Sequence, residues 1–77
     1  MSRLRLVPYA ILGKVAEKKG FHWARRVGSH NTFRNKAGII IVIPDHGSQQ
    51  IVRPLLRKIL RDMSITPDEY EQLLKEL

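Results

Sequence analysis

The 77-residue sequence predicts an α+β domain: one helix, a three-stranded antiparallel sheet, then two further helices, the last one short. Three observations carry that prediction. Apolar residues recur at helical spacing over residues 8–19, again after Pro54 and again after Pro67. Between the first two of these stretches, residues 21–43 change to alternating and β-branched patterning. That region is broken only by Gly28-Ser29 and Lys36-Ala37-Gly38, turns short enough to make its strands hairpin neighbours. Helices then cover one face of the sheet and leave the other open.

Pro8 suits the first position of the opening helix, because its fixed φ and missing N–H cost nothing there. Ile11, Leu12 and Val15 form one apolar stripe, while Lys14, Glu17 and Lys18 face water. Gly20 ends this helix after Lys19 in the left-handed conformation that glycine tolerates best. In the first strand Phe21, Trp23 and Val27 fall on alternating positions, and Trp23 is expected in the core rather than as a platform for a nucleic-acid base. In the second, His30 to Asn35, Asn31 and Phe33 point one way and His30, Thr32 and Arg34 the other. Burying Phe33 therefore leaves His30 and Arg34 on the open face. The run Ile39 to Ile43 predicts the best-buried strand, and Pro44 stops its pairing.

Residues 45–52 are polar, contain Gly47 and read as a loop. Leu55, Leu56, Ile59, Leu60 and Met63 share a face of the next helix, with Arg53, Arg57, Lys58 and Arg61 around its other sides. Thr66-Pro67-Asp68-Glu69 is a capping box with proline at the first helical position. Tyr70, Leu73, Leu74 and Leu77 then follow at i, i+3, i+4 and i+7. No repeat, linker or low-complexity segment interrupts the chain, so residues 1–77 are expected to form a single domain.

Charge is distributed unevenly. Residues 1–61 hold 13 Lys/Arg against Glu17 and Asp45, a net +11, whereas residues 62–77 set Lys75 against five carboxylates, a net −4. A basic body with an acidic tail is the footprint of a protein that meets a polyanion on one side. The absence of cysteine excludes disulfides and thiolate metal sites. No signal-like core opens the sequence, and the apolar run at Ile39 is too short to span a bilayer. A cytoplasmic protein without membrane contact is the expectation.

Chemistry points to the stretch Arg26-Val27-Gly28-Ser29-His30-Asn31-Thr32-Phe33-Arg34. An imidazole exchanges protons near neutrality, and arginines beside it offer fixed charge to a phosphate. Two readings of the stretch stand together: a proton-transfer group acting on a nucleic-acid backbone, and a sheet-edge histidine near solvated arginines.

The element order resembles the double-stranded-RNA-binding fold, α-β-β-β-α, with a short helical appendage. The motifs resemble more narrowly the HicA-type mRNA interferase toxins of toxin–antitoxin systems. The likeness runs from about Leu6 to Leu77: Gly20-Phe21 after the first helix, Gly28-Ser29-His30 with Phe33 three residues on, and an apolar strand ending in Pro44 before His46. It continues through residues 55–61, Leu-Leu-Arg-Lys-Ile-Leu-Arg, and residues 65–70, Ile-Thr-Pro-Asp-Glu-Tyr. Arg53-Pro54 departs from the family, which often carries glycine in the segment leading into that helix. The resemblance implies an RNA endonuclease whose key residue is His30, and a neighbouring HicB-type antitoxin that covers the site.

In such an enzyme the ribose 2′-OH serves as internal nucleophile, His30 acts as general base or acid, and cations offset charge on the phosphoryl oxygens. Arg25, Arg26, Arg34 and Lys36 are the candidate cations by proximity, and the Ser29 hydroxyl is a candidate for positioning the phosphate. His46 is the candidate second acid or base, with a solvated loop histidine as its other reading. Asp45, His46, His30 and His22 lack a recognised ligand spacing, so neither a metal nor another cofactor is expected. An alternative function is a non-catalytic RNA-binding module of the same fold. True double-stranded-RNA binders grip phosphates with a lysine-rich motif at a helix start, however, and Arg57-Lys58 lies well inside its helix.

Overall fold

The computed structural model of the chain describes residues 4–77. Its elements are α1 (Tyr9–Lys18), β1 (His22–Val27), β2 (His30–Arg34), β3 (Ile40–Pro44), α2 (Arg53–Asp62) and α3 (Pro67–Lys75). Arg3, counted above with the basic body, lies outside the described residues.

Helix α1 begins one residue later than expected. Pro8 is its N-cap, with extended backbone (φ −77°, ψ 172°), and its carbonyl accepts the N–H groups of Ile11 and Leu12 at 3.1 Å. At the other end Gly20 takes φ +94°. Its N–H donates to the Glu17 carbonyl (3.0 Å) and that of Phe21 to the Ala16 carbonyl (2.9 Å), the paired bonds of a Schellman closure. The chain leaves that turn with Phe21 already in the core, so the strand starts at His22.

The sheet is ordered β1-β2-β3, with both neighbours antiparallel. Opposite His30 stand Val27 on β1 and Pro44 on β3; opposite Phe33 stand Trp23 and Ile41. Asn31, Phe33, Ile41 and Ile43 are buried beneath α1 and α2, and His30 and Arg34 are exposed on the opposite face. Alternation of the β2 side chains thus appears as expected. Helix α1 passes Phe33 at Gly13, where an added Cβ would make ordinary contact, 3.5 Å, with the ring. The Tyr9 ring flanks the same Phe33, centroid to centroid at 6.4 Å.

Two expectations about the strands are corrected. The run beginning at Ile39 is not buried on both sides: β3 is an edge strand, and Ile40 (56% exposed) and Val42 (42%) face outward while Ile41 and Ile43 face the core. A continuous apolar run carries no periodicity from which to tell a two-sided strand from an edge strand. Trp23 is also not core, being 52% exposed. A bulge between Trp23 and Arg25 inserts one residue, so Trp23 sides with Phe33 while Arg25 sides with Thr32 on the open face. Trp23 therefore sits at the margin of the helix-covered face, and its indole N–H donates to Asn31 Oδ1 at 2.9 Å.

Helix α2 buries Leu56, Ile59 and Leu60 against the sheet. Ahead of α1, residues 4–8 cross between the 45–52 loop and α3. The Val7 carbonyl accepts the Ile51 N–H (2.9 Å), and the Arg5 carbonyl accepts the buried Tyr70 hydroxyl (2.6 Å). Thr66 caps α3 by accepting the Glu69 N–H at 3.1 Å. Glu69 does not return the bond; its carboxylate takes Lys19 Nζ at 2.7 Å instead. Leu77, the last member of the expected α3 stripe, lies beyond the helix and is exposed.

Ion pairing sorts the charges. Glu69, Glu71 and Glu76 of the acidic tail pair with Lys19, Arg5 and Lys18, on the side of the molecule away from the open sheet face. Arg25, Arg34 and Lys36 make no ion pair among the described residues. No helix among those residues is long and apolar enough to cross a membrane.

Candidate active site

His30 is the first residue of β2, immediately after the turn at Gly28-Ser29. That turn needs a left-handed residue, and Gly28 supplies it at φ +59°. Three contacts hold the turn in place. Arg26 Nε donates to the Gly28 carbonyl (2.7 Å), and the Ser29 carbonyl accepts both the Asp45 N–H (2.7 Å) and the amide nitrogen of Asn31 (3.3 Å). Asn31 is the buried polar residue of the sheet, and its carboxamide oxygen is held in turn by Trp23. His30 therefore projects to solvent from a backbone tied on both sides, the arrangement that keeps a proton-transfer group oriented.

The nominated cations do not all gather there. Arg26 lies on the helix-covered side of β1, where its guanidinium also meets Asp45 at 3.6 Å, so the turn engages it from within. Arg25 shares the open face with His30, two positions along the strand register and one strand over. Arg34 occupies the far end of β2, about 13 Å along the strand at ~3.3 Å per residue, and Lys36 lies beyond it in the hairpin loop. The open face thus presents His30, Arg25 and Arg34 as a line of separated groups.

The Ser29 hydroxyl beside His30 makes no internal hydrogen bond among the described residues. His46 follows Asp45, whose backbone is bonded to Ser29, so this loop does come up to the Gly28-Ser29 turn. Asp45 shapes it by accepting the Gly47 N–H at 2.9 Å. His46 is exposed, and no hydrogen bond joins its ring to His30 among the described residues.

A groove of about 320 Å³ runs from His30 along the outer edge of β3 to the flank of α2. Its apolar walls are Ile40, Val42 and Pro44 on one side and Leu55 on the other, and its remaining charged groups are Lys58 and Asp62. Those two were not nominated with His30, because a separation of 28 residues or more carries no local signal. Among the described residues no group of three His, Asp or Glu side chains converges to hold a metal ion.

No curated protein matches the chain. A family model described as the HicA toxin of bacterial toxin–antitoxin systems does match, over residues 12–65. That span covers well over half of the chain and contains the whole sheet, the Gly28-Ser29-His30 turn and α2. The histidine-bearing turn, the open cationic face and the helix that completes the groove all fall within the matched segment, and the chain belongs to the HicA toxin family of bacterial toxin–antitoxin systems.

Proposed function

We propose that this toxin is a metal-independent RNA endonuclease, an mRNA interferase, and that His30 is its general acid or base. The observation that carries the reading is His30 itself: an exposed imidazole beside a hydrogen-bonded turn, at the mouth of a groove and on a sheet face whose Arg25 and Arg34 make no ion pair among the described residues. In the reaction the ribose 2′-oxygen attacks the adjacent phosphorus and the 5′-oxygen of the next nucleotide departs. A 2′,3′-cyclic phosphate and a 5′-hydroxyl result. One proton leaves the 2′-OH and one reaches the departing oxygen, so the exchange balances. Attack within one nucleotide gains from proximity because no second reactant is captured. His30 carries one of the two protons, worth typically ~10²–10⁴-fold.

Arg25 and Arg34 fit successive backbone phosphates to one side of the cleavage point, with Ser29 as a hydrogen-bond donor next to His30. Lys36 extends the same face toward the hairpin. A HicB-type antitoxin is the partner that silences the enzyme in the cytoplasm, by presenting an acidic surface to His30 and Arg34. Charge complementarity makes such an encounter fast.

Cleavage of a single-stranded RNA in EDTA tests this, with wild type beside His30→Ala and with a matched strand carrying 2′-deoxyribose. Cutting by wild type alone, and of the ribose strand alone, is expected. Binding of RNA by both proteins without cutting by either would replace the enzyme with a non-catalytic RNA-binding module.

A further inference from the structure

Resting on the reading of His30 as an RNA-cleaving group, we propose that Lys58 binds the phosphate undergoing cleavage, in the groove between β3 and α2, and that Asp62 is its internal stand-in partner when RNA is absent. Phosphoryl transfer concentrates negative charge on the non-bridging oxygens, so a cation must lie within reach of the proton-transfer group. Of the cations near His30, Lys58 is the one that lines the same groove. Arg25 and Arg34 face the open sheet, and Arg26 is engaged by Gly28 and Asp45.

The local chemistry favours exchange. Lys58 Nζ meets Asp62 Oδ2 at 2.7 Å, one helical turn away, with the lysine side chain 62% exposed. A solvated pair of this kind is weak, and a phosphodiester anion can take over the ammonium. The apolar walls at Ile40, Val42, Pro44 and Leu55 offer a nucleoside the surface that Lys58 does not. A single-stranded ribonucleotide segment, its charge on Lys58 and its base against the β3 edge, fits this combination of one cation and apolar flanks.

The test compares wild type, Lys58→Met, Lys58→Arg and Asp62→Asn, with folding checked by circular dichroism. Two readings are taken: single-turnover cleavage of a single-stranded RNA, and the salt dependence of binding to its 2′-deoxy analogue. Lys58→Met is expected to slow cleavage by ~10²–10³-fold, the usual loss for one transition-state charge partner. It should also flatten the slope of log K against log salt by about 0.7, one single-strand phosphate contact. Lys58→Arg keeps the charge and should recover much of both. Asp62→Asn removes the competitor and should tighten binding several-fold. Cleavage and salt slope unchanged in Lys58→Met overturn the proposal while leaving His30 chemistry intact. Weakened binding in Asp62→Asn overturns it too, because the ion pair would then be serving the helix. A wild type that neither cuts nor binds RNA overturns both this and the reading beneath it.

Discussion

Replacing Asn31 with alanine tests how the sheet holds its histidine. The carboxamide donates to the Ser29 carbonyl at 3.3 Å and accepts the Trp23 indole N–H at 2.9 Å, with the residue itself only 2% exposed. Removing it strands neither partner. The Ser29 carbonyl keeps the Asp45 N–H, and the half-exposed indole turns to water. Each lost bond therefore costs about 0.5–1.5 kcal/mol rather than the full penalty of a buried orphan. With a small void added, the variant should be about 2–3 kcal/mol less stable. In a domain of this size each kcal/mol moves Tm by roughly 4–8 °C, so a fall of ~10–20 °C is expected. Trp23→Phe keeps the bond to Ser29 but leaves the buried Asn31 Oδ1 without its donor, at about 1–3 kcal/mol, so its Tm should fall by a comparable amount. Thermal unfolding followed by circular dichroism measures both. RNA cleavage well below either Tm then shows whether the loosened turn misplaces His30, which should cost Asn31→Ala ~10²-fold. An unchanged Tm in Asn31→Ala, or full activity in that variant, would refute the view that this network positions the histidine.

Further outcomes follow from the remaining contacts. Burial pushes the Tyr70 hydroxyl up to about 12 from its ordinary 10, so between those values the unfolded chain releases a proton that the folded one keeps. Stability from this group is complete below pH 10 and declines as pH rises toward 12, by about 1.4 kcal/mol at pH 11. Urea unfolding at pH 8 and pH 11 should show wild type losing that amount relative to Tyr70→Phe; a constant difference refutes the assignment. Thr66→Ala should lower stability by about 1 kcal/mol through loss of the cap to the Glu69 N–H, read as a shift in denaturation midpoint at unchanged slope. Ser64 holds φ +58° after α2, a conformation costly for a residue with a Cβ. Ser64→Gly should raise Tm by a few degrees in the same assay, and a lower Tm would show that the serine side chain contributes more than the backbone strain removes.

Local physics made most of the elements legible in the sequence. Proline at two helix starts, glycine after α1, the Thr66 cap and the alternation of Asn31 and Phe33 each act within four residues, and each appears where the pattern puts it. The exposure of His30 followed from the burial of Phe33, since adjacent β residues on opposite parity face opposite sides. The order and spacing of the motifs from about Leu6 to Leu77 likewise sufficed to point to the family. Tertiary structure decided the rest, because it depends on contacts between distant segments. A single inserted residue in β1 sent Trp23 and Arg25 to opposite faces, which no count of alternating positions reveals. The position of β3 at the sheet edge turned an apolar run into one wall of a groove. Packing of Leu56 and Ile59 against that sheet then carried Lys58 to the groove that His30 enters. Sequence alone could nominate the histidine, whose signal is local; which lysine lines the same groove is set by the packing of α2.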